Sequence, residues 1–469
     1  MSSFIVVSIG ILIVLGLIIG LRINAFIALI VAALAVSFLA AGASPEAGEA
    51  VTSVERMQRV GREFGVAAGK IGLVIGFAAV IGEAMMRSGA ADRIVQAFLA
   101  LLGVKRAPWA LMSSGFMLSV PVFFDTVFYL LVPLARSLHR KTKKNFLLYV
   151  LAICAGGAIT HTLVPPTPGP LAMAATLNVS IGLMIGIGCI VALPSAIAGI
   201  LFSSFLDRNV KIASIEEAAS ETTEDVAFDS PIPLWEALLP VILPVILISG
   251  DTIVGSLMSA PPEPANFFNS LKPTTQVIGY PAFALLLSMM ISLITWVRWK
   301  RPEGNDFSKS VENALLSGGL VILITAAGGA FGAMLKETGI AGDIRELFAD
   351  SEAVGMVTLF LAFGMAALLK VAQGSSTTAM ITVSAMMASF GLTEADLGFN
   401  LVYICTAIGA GSLIGSWMND SGFWIVAKMS GLSETEALKT WTPLLAVLGT
   451  VSLLMTIVLT KILPLVSVG

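Results

Sequence analysis

Two carboxylates sit inside stretches that are otherwise apolar. Asp125 lies in Pro121-Val122-Phe123-Phe124-Asp125-Thr126, and Asp420 lies in Gly415-Ser416-Trp417-Met418-Asn419-Asp420-Ser421-Gly422. A charge left unpaired in hydrocarbon is costly, so acids at that depth point to proton or ion movement. Asp420 is expected to carry a coupling proton, with Asn419, Ser421 and Gly422 around it as solute contacts. Asp125 is the corresponding acid of the first half, and Thr126 beside it adds a hydroxyl. A structural hydrogen bond is the alternative for either acid. The run Gln373-Gly374-Ser375-Ser376-Thr377-Thr378 offers donors without charge, the chemistry that a polyol or carboxylate needs. Back-bonding to a helix is the alternative there. Lys370, three residues upstream, could attract an anion, balance an acid or snorkel. His161, Thr167 and Gly169 mark a fourth candidate stretch; His161 could relay a proton, or be buried and hydrogen-bonded. Phe423 and Trp424 could line a cavity or only pack.

Each of these stretches interrupts a membrane-length apolar run. Pro165-Pro166-Thr167-Pro168-Gly169-Pro170 cannot continue a helix, because proline lacks the amide donor and costs ~3 kcal/mol or more inside one. Irregular backbone at membrane depth survives only where protein, water or a bound solute satisfies it, and paired broken helices point to a transporter's binding site. A polar cavity is therefore expected around the breaks. Helix N-termini there carry roughly half a positive charge and free amides, which favours an anionic solute.

The first half, residues 1–206, reads as spans at 4–21, 25–42 and 64–86, a re-entrant hairpin at 109–134, a broken helix at 145–177 and a span at 181–205. Residues 207–230 are acidic and aperiodic, the pattern of a cytoplasmic linker. The second half, 231–469, repeats the order with spans at 233–250, 275–297 and 313–335, a hairpin at 354–387, a broken helix at 398–429 and a span at 441–462. The reading is an all-α polytopic membrane protein of two inverted repeats. It has ten spanning helices, two of them broken, and two hairpins.

Two patterns support the repeat. Gly82 and Gly89 align with Gly332 and Gly339 at an offset of 250, which also places Asp125 on Ser375. Loops 87–106 and 135–144 are basic and belong inside, whereas their counterparts 336–353 and 389–398 are mostly acidic and belong outside. Arg298, Lys300, Arg301 and Lys309 put the next loop inside, with 251–273 outside. Loop 43–63 is the exception, expected outside yet carrying Arg56, Arg59 and Arg62.

Composition agrees. Of 469 residues, 57% are hydrophobic and 12% charged, about half the charge of an ordinary soluble chain. A net charge of −3 without a basic face argues against nucleic acid. Cys154, Cys189 and Cys405 stand apart as small core residues, and Phe4–Leu21 reads as a retained span rather than a signal peptide. No His-Glu-x-x-His, nucleotide loop or catalytic Ser–His pair occurs, so an enzyme is not expected, nor a metal or cofactor, and an ion gradient is left as the energy source.

Several motifs together resemble the gluconate permease family of bacterial symporters, within the ion-transporter superfamily. They are Phe123-Phe124-Asp125, Leu163 to Pro170, Gly328-Gly329-Ala330-Phe331-Gly332, Val371 to Thr377 and Asn419 to Trp424. The family pattern usually has histidine where this chain has Thr167. The resemblance implies proton-coupled uptake of gluconate or a related sugar acid across the inner membrane, by a protein that the wider superfamily suggests is a homodimer. A cation antiporter of similar architecture and a sodium-coupled organic acid symporter are the competing readings.

Opposite insertion of the two hairpins makes a direct prediction. A single cysteine at Arg140 labels only from the cytoplasm and one at Glu394 only from the periplasm; labelling of both from one side refutes the inverted repeat.

Overall fold

The protein, described from a computed structural model, is resolved into placed residues at 2–40, 52–142, 145–210, 231–258, 266–340, 343 and 354–466. Among these residues there is no strand, and eight helices are long and apolar enough to cross a membrane.

The chain opens with α1 (Ser3–Leu15), prolonged by a π-helical turn over Gly16–Gly20, and α2 (Ala25–Leu39). Then α3 (Ser53–Ser88) starts at a capping box made by Thr52 and Glu55, far earlier than the span expected at 64–86. This places the exceptional arginines on a helix. Arg56 donates to the carbonyls of Phe38 and Ala40 at the end of α2, so it satisfies a helix terminus and is a poor marker of sidedness. The segment read as loop 87–106 is also helical, as α4 (Ala90–Leu102), and the chain bends by 106° before continuing to 118. An amphipathic helix with Asp92 and Arg93 among apolar residues is not separated from a loop by charge alone.

The first interruption lies between α5 (Ala107–Leu118) and α6 (Phe124–Thr142), which sets Asp125 and Thr126 in the first turn of α6. The broken helix follows as α7 (Phe146–Leu163) and α8 (Pro168–Thr176), then α9 (Ile181–Asn209). Helix α9 takes in the first residues of the expected linker; 211–230 lie outside the described residues. In the second half, α10 (Leu234–Met258) and α11 (Asn266–Ile278) occupy most of what read as loop 251–273. The expected span at 275–297 is divided at Gly279, where a Cβ would stand 2.6 Å from both Leu247 O and Asp251 Cβ, and Pro281 starts α12 (Pro281–Lys300). Helix α13 (Gly304–Lys336) precedes α14 (Val354–Gln373) and α15 (Ser376–Ser389), which meet at the second tip. At 20 residues, ~30 Å, α14 has the length of a full span by itself, whereas the 12-residue α5 does not. One turn, α16 (Glu394–Leu397), leads to α17 (Val402–Gly411), the second break, α18 (Ser421–Ser430) and α19 (Glu434–Ile462). Much of loop 336–353, with Arg345, Glu346, Asp350 and Glu352, lies outside the described residues.

The broken helices form the core. In the unit Phe146–Thr176, 94% of the membrane-length window is buried, against 28–50% for the other seven. Every residue of α17 is buried as well. Helices that are apolar all round belong in the interior, and these two are surrounded by α5, α9, α14 and α19. A second apolar cluster joins α1 and α2 to α13 and α15.

Close backbone approach holds the core. A Cβ at Gly156 would stand 2.0 Å from Met112 O and 2.8 Å from Phe116 N, so α5 lies directly on α7. Gly156→Ala is therefore expected to lower the thermal midpoint in detergent or abolish assembly. Gly72→Ala, whose Cβ meets only Ile322 at 3.8 Å, serves as control and leaves the midpoint within about a degree.

Candidate functional site

The two second-half interruptions are built against each other. Gly374 ends α14 with φ +85°, and a Cβ there would lie 2.1 Å from Asn419 O and 2.8 Å from Asp420 N. Only glycine permits that contact. Trp417 Nε1 and Asn419 Nδ2 then both donate to Val371 O, at 2.8 and 2.7 Å, which ties the second break to the end of α14.

At the junction Lys370 Nζ donates to Asp420 Oδ2 at 2.6 Å and to Gly374 O. The side chains are 2% and 10% exposed, so this is a buried ion pair. Ser416 Oγ also donates to Asp420 Oδ2, and itself accepts from Trp441 Nε1 at 2.7 Å. The other carboxylate oxygen caps α18, accepting from Gly422 N at 3.0 Å. Both oxygens of Asp420 are thus engaged.

The pair borders a cavity of about 150 Å³. Three of the four interruptions contribute to it, with Phe123 to Asp125 from the first, Ser375 to Thr377 from the second tip and Asp420 to Gly422 from the second break, and α7 adds His161 and Thr162 ahead of the Pro-rich loop. Trp441 from α19 closes one wall and stacks on Phe124 at 5.4 Å. Within the hydroxyl run, Ser375 Oγ caps α15 by accepting from Thr378 N, Ser376 Oγ donates to Ser412 O, and Thr378 Oγ1 donates to Ser375 Oγ. Thr377 and Ser421 line the cavity without a protein partner among the described residues. The Asp125 carboxylate is in the same position, and His161 Nδ1 is buried without a partner. Ser375 also borders a larger cavity of about 680 Å³ shared with Arg22, Asn24, Gln373, Thr378 and Asn419. The second tip is therefore the partition between the two spaces.

Residues 2–462 match the pattern described as GntP family permease. The chain belongs to that family. It is 31% identical over 95% of its length to the inner membrane permease YgbN of Escherichia coli, covering 96% of that protein. It is 30% identical over 94% of its length to a gluconate permease of Pseudomonas aeruginosa, covering 94% of it. Among solved structures, the Alcanivorax borkumensis YdaH transporter shares the fold at a TM-score of 0.65 and 14% identity, over 94% of this chain and 99% of that one.

In this GntP permease, then, the residues singled out from sequence divide into three groups. Asp125, His161, Ser375, Ser376, Thr377, Asp420, Ser421 and Gly422 meet at the 150 Å³ cavity. Gln373 and Asn419 face the larger one, and Gly374 packs at the junction. The Pro-rich loop is packed in protein. Thr167 Oγ1 donates to Val164 O at 2.7 Å, Gly169 lies against Met380, and the freed carbonyls of Leu163 and Thr162 are approached by Gly188 and Gly409. Close packing by neighbouring helices, with one hydroxyl hydrogen bond, stands where a polar cavity was expected around that break. Thr126, one residue past Asp125, is likewise not on the cavity wall. Sequence reasoning passed over Trp441, since nothing local distinguishes it from a packing aromatic. Its partner, Ser416, is 25 residues away.

Stranding one member of a buried pair costs about 3–5 kcal/mol. Lys370→Met is expected to destabilise the permease by that order, and Lys370→Met with Asp420→Asn by much less. A double-mutant cycle from detergent unfolding measures the difference, and additive losses would mean the two groups are not coupled.

Proposed function

We propose that this permease carries gluconate or a related small hydroxy acid anion, together with a proton, across the bacterial inner membrane, and that the 150 Å³ cavity is its solute site. The observation that carries the reading is the convergence at one cavity of a buried lysine, the N-termini of α15 and α18, and the unpartnered hydroxyls of Thr377 and Ser421. A cation and two helix N-termini favour a carboxylate, and hydroxyls favour a polyol chain. The gluconate permease of Pseudomonas aeruginosa, matched along nearly its whole length, supports the same solute class. Asp420 and Asp125 are the acids able to take the proton.

The reading includes two inverted halves, 1–206 and 231–469, joined by a cytoplasmic linker, with access alternating around the cavity and two chains forming a dimer. The equivalent order of helices, tip and break on either side of 211–230 supports the repeat. The shared wall at Ser375 supports gating by the second tip.

Counterflow of labelled gluconate, idonate and other sugar acids in proteoliposomes tests the substrate class. Accumulation driven by an imposed pH gradient without sodium tests the coupling ion; a strict sodium requirement replaces the proton with sodium. Loss of one hydroxyl contact costs about 0.5–1.5 kcal/mol, so Thr377→Ala and Ser421→Ala should each raise KM by about two- to tenfold with little change in expression. An unchanged KM in both would move the solute away from these side chains.

A further inference from the structure

We propose that Lys370 is the receptor for the solute carboxylate, and that Asp420 occupies this receptor until a proton takes its place. The inference rests on the reading of the cavity as a solute site. An ammonium has three donors, and Lys370 commits two, to Asp420 Oδ2 and Gly374 O, while lining the cavity. It is the cavity's one cation among the described lining residues. Asp420 therefore stands where a solute carboxylate would bind.

Charge explains the exchange. The titratable groups facing the pair are Asp125 from α6 and His161 from α7; the lining residues of α15, the second break, α18 and α19 bring no other. Two acids against one lysine leave the site with one negative charge when His161 is neutral. A monocarboxylate arriving alone adds a second and finds the lysine taken. A proton arriving alone frees a buried lysine with no partner, which is also unfavourable. When both arrive, the proton forms an O–H bond on Asp420, the Lys370–Asp420 ion pair separates, and the solute carboxylate pairs with Lys370. The buried charge is then what it was, so one proton accompanies each monocarboxylate. Asp420 stays oriented throughout, because Gly422 N and Ser416 hold it independently of the lysine. Ser416 can accept where it donated, since a hydroxyl does either. Each ligand raises the affinity for the other by the same factor.

The test uses the full chain in proteoliposomes, with labelled gluconate counterflow read from about pH 6 to about pH 8. Wild type is expected to show a half-saturating concentration that rises with pH by up to about tenfold per unit. Asp420→Asn should keep exchange, with that slope reduced to about twofold or less across the range. Adding Lys370→Gln to Asp420→Asn should weaken half-saturation by about tenfold or more, as loss of a charge-assisted contact does. Retention of the wild-type slope by Asp420→Asn, its loss of exchange at every pH while folded, or equal exchange by single and double variants overturns the proposal. A solute-free measurement separates this from the substrate reading. Because a proton alone is unfavourable at Asp420, a carboxylic C=O infrared component that Asp420→Asn removes and Asp125→Asn retains should appear only at acidity below the transport range; a component lost in Asp125→Asn and kept in Asp420→Asn overturns Asp420 as the proton site. No exchange of any hydroxy acid by wild type, with the infrared result as expected, overturns the substrate reading and the lysine's role while upholding the protonation of Asp420.

Discussion

The buried pair between Lys370 and Asp420 is the contact on which the second half of this permease turns. Each side chain sits beside an end of irregular backbone, where amides and carbonyls have lost their helical partners. Taking two charges out of water is unfavourable unless geometry and further hydrogen bonds compensate. Here Ser416, Gly422 N and Gly374 O supply those bonds, so the pair fixes the second tip and the second break relative to one another. Such a junction is strong in one arrangement and costly in any that separates the charges singly, which suits a switch better than a scaffold.

The two broken helices deal with the same backbone problem by different means. In the first, prolines remove donors, Thr167 returns one hydrogen bond to Val164 O, and glycines of α9 and α17 press against the exposed carbonyls. In the second, there is no proline, and side chains do the work: Trp417 and Asn419 reach Val371 O, and Asp420 caps α18. One break is packed and the other is polar. This difference explains why the cavity takes Asp420 to Gly422 from the second break but takes only α7 residues, and none of the Pro-rich loop, from the first.

Burial reinforces that division. Helices α7 and α17 lie inside the protein, while α10 and α12 keep much of their surface outward. The second tip meets this packed core where Gly374 lies against the Asn419 backbone.

The sequence by itself determined the class of protein and the places where its helices stop. Apolar runs of membrane length, prolines, glycines and polar clusters act over a few residues, so the interruptions near Asp125, Pro165, Gly374 and Asp420 were legible without a structure. Helices α4 and α11 were not, because an amphipathic helix and a charged loop have similar composition. Only the tertiary structure decided which polar groups face one another. It paired Lys370 with Asp420 across 50 residues and brought Trp441 to Ser416 and Phe124. It also turned Thr167 and Gly169 into packing residues and assigned the hydroxyls of Ser375 and Ser376 to the backbone. The physical reason is range. Helix-breaking chemistry is local, whereas a cavity and an ion pair are made by close approaches between segments distant in the chain, set by where small residues let backbones touch.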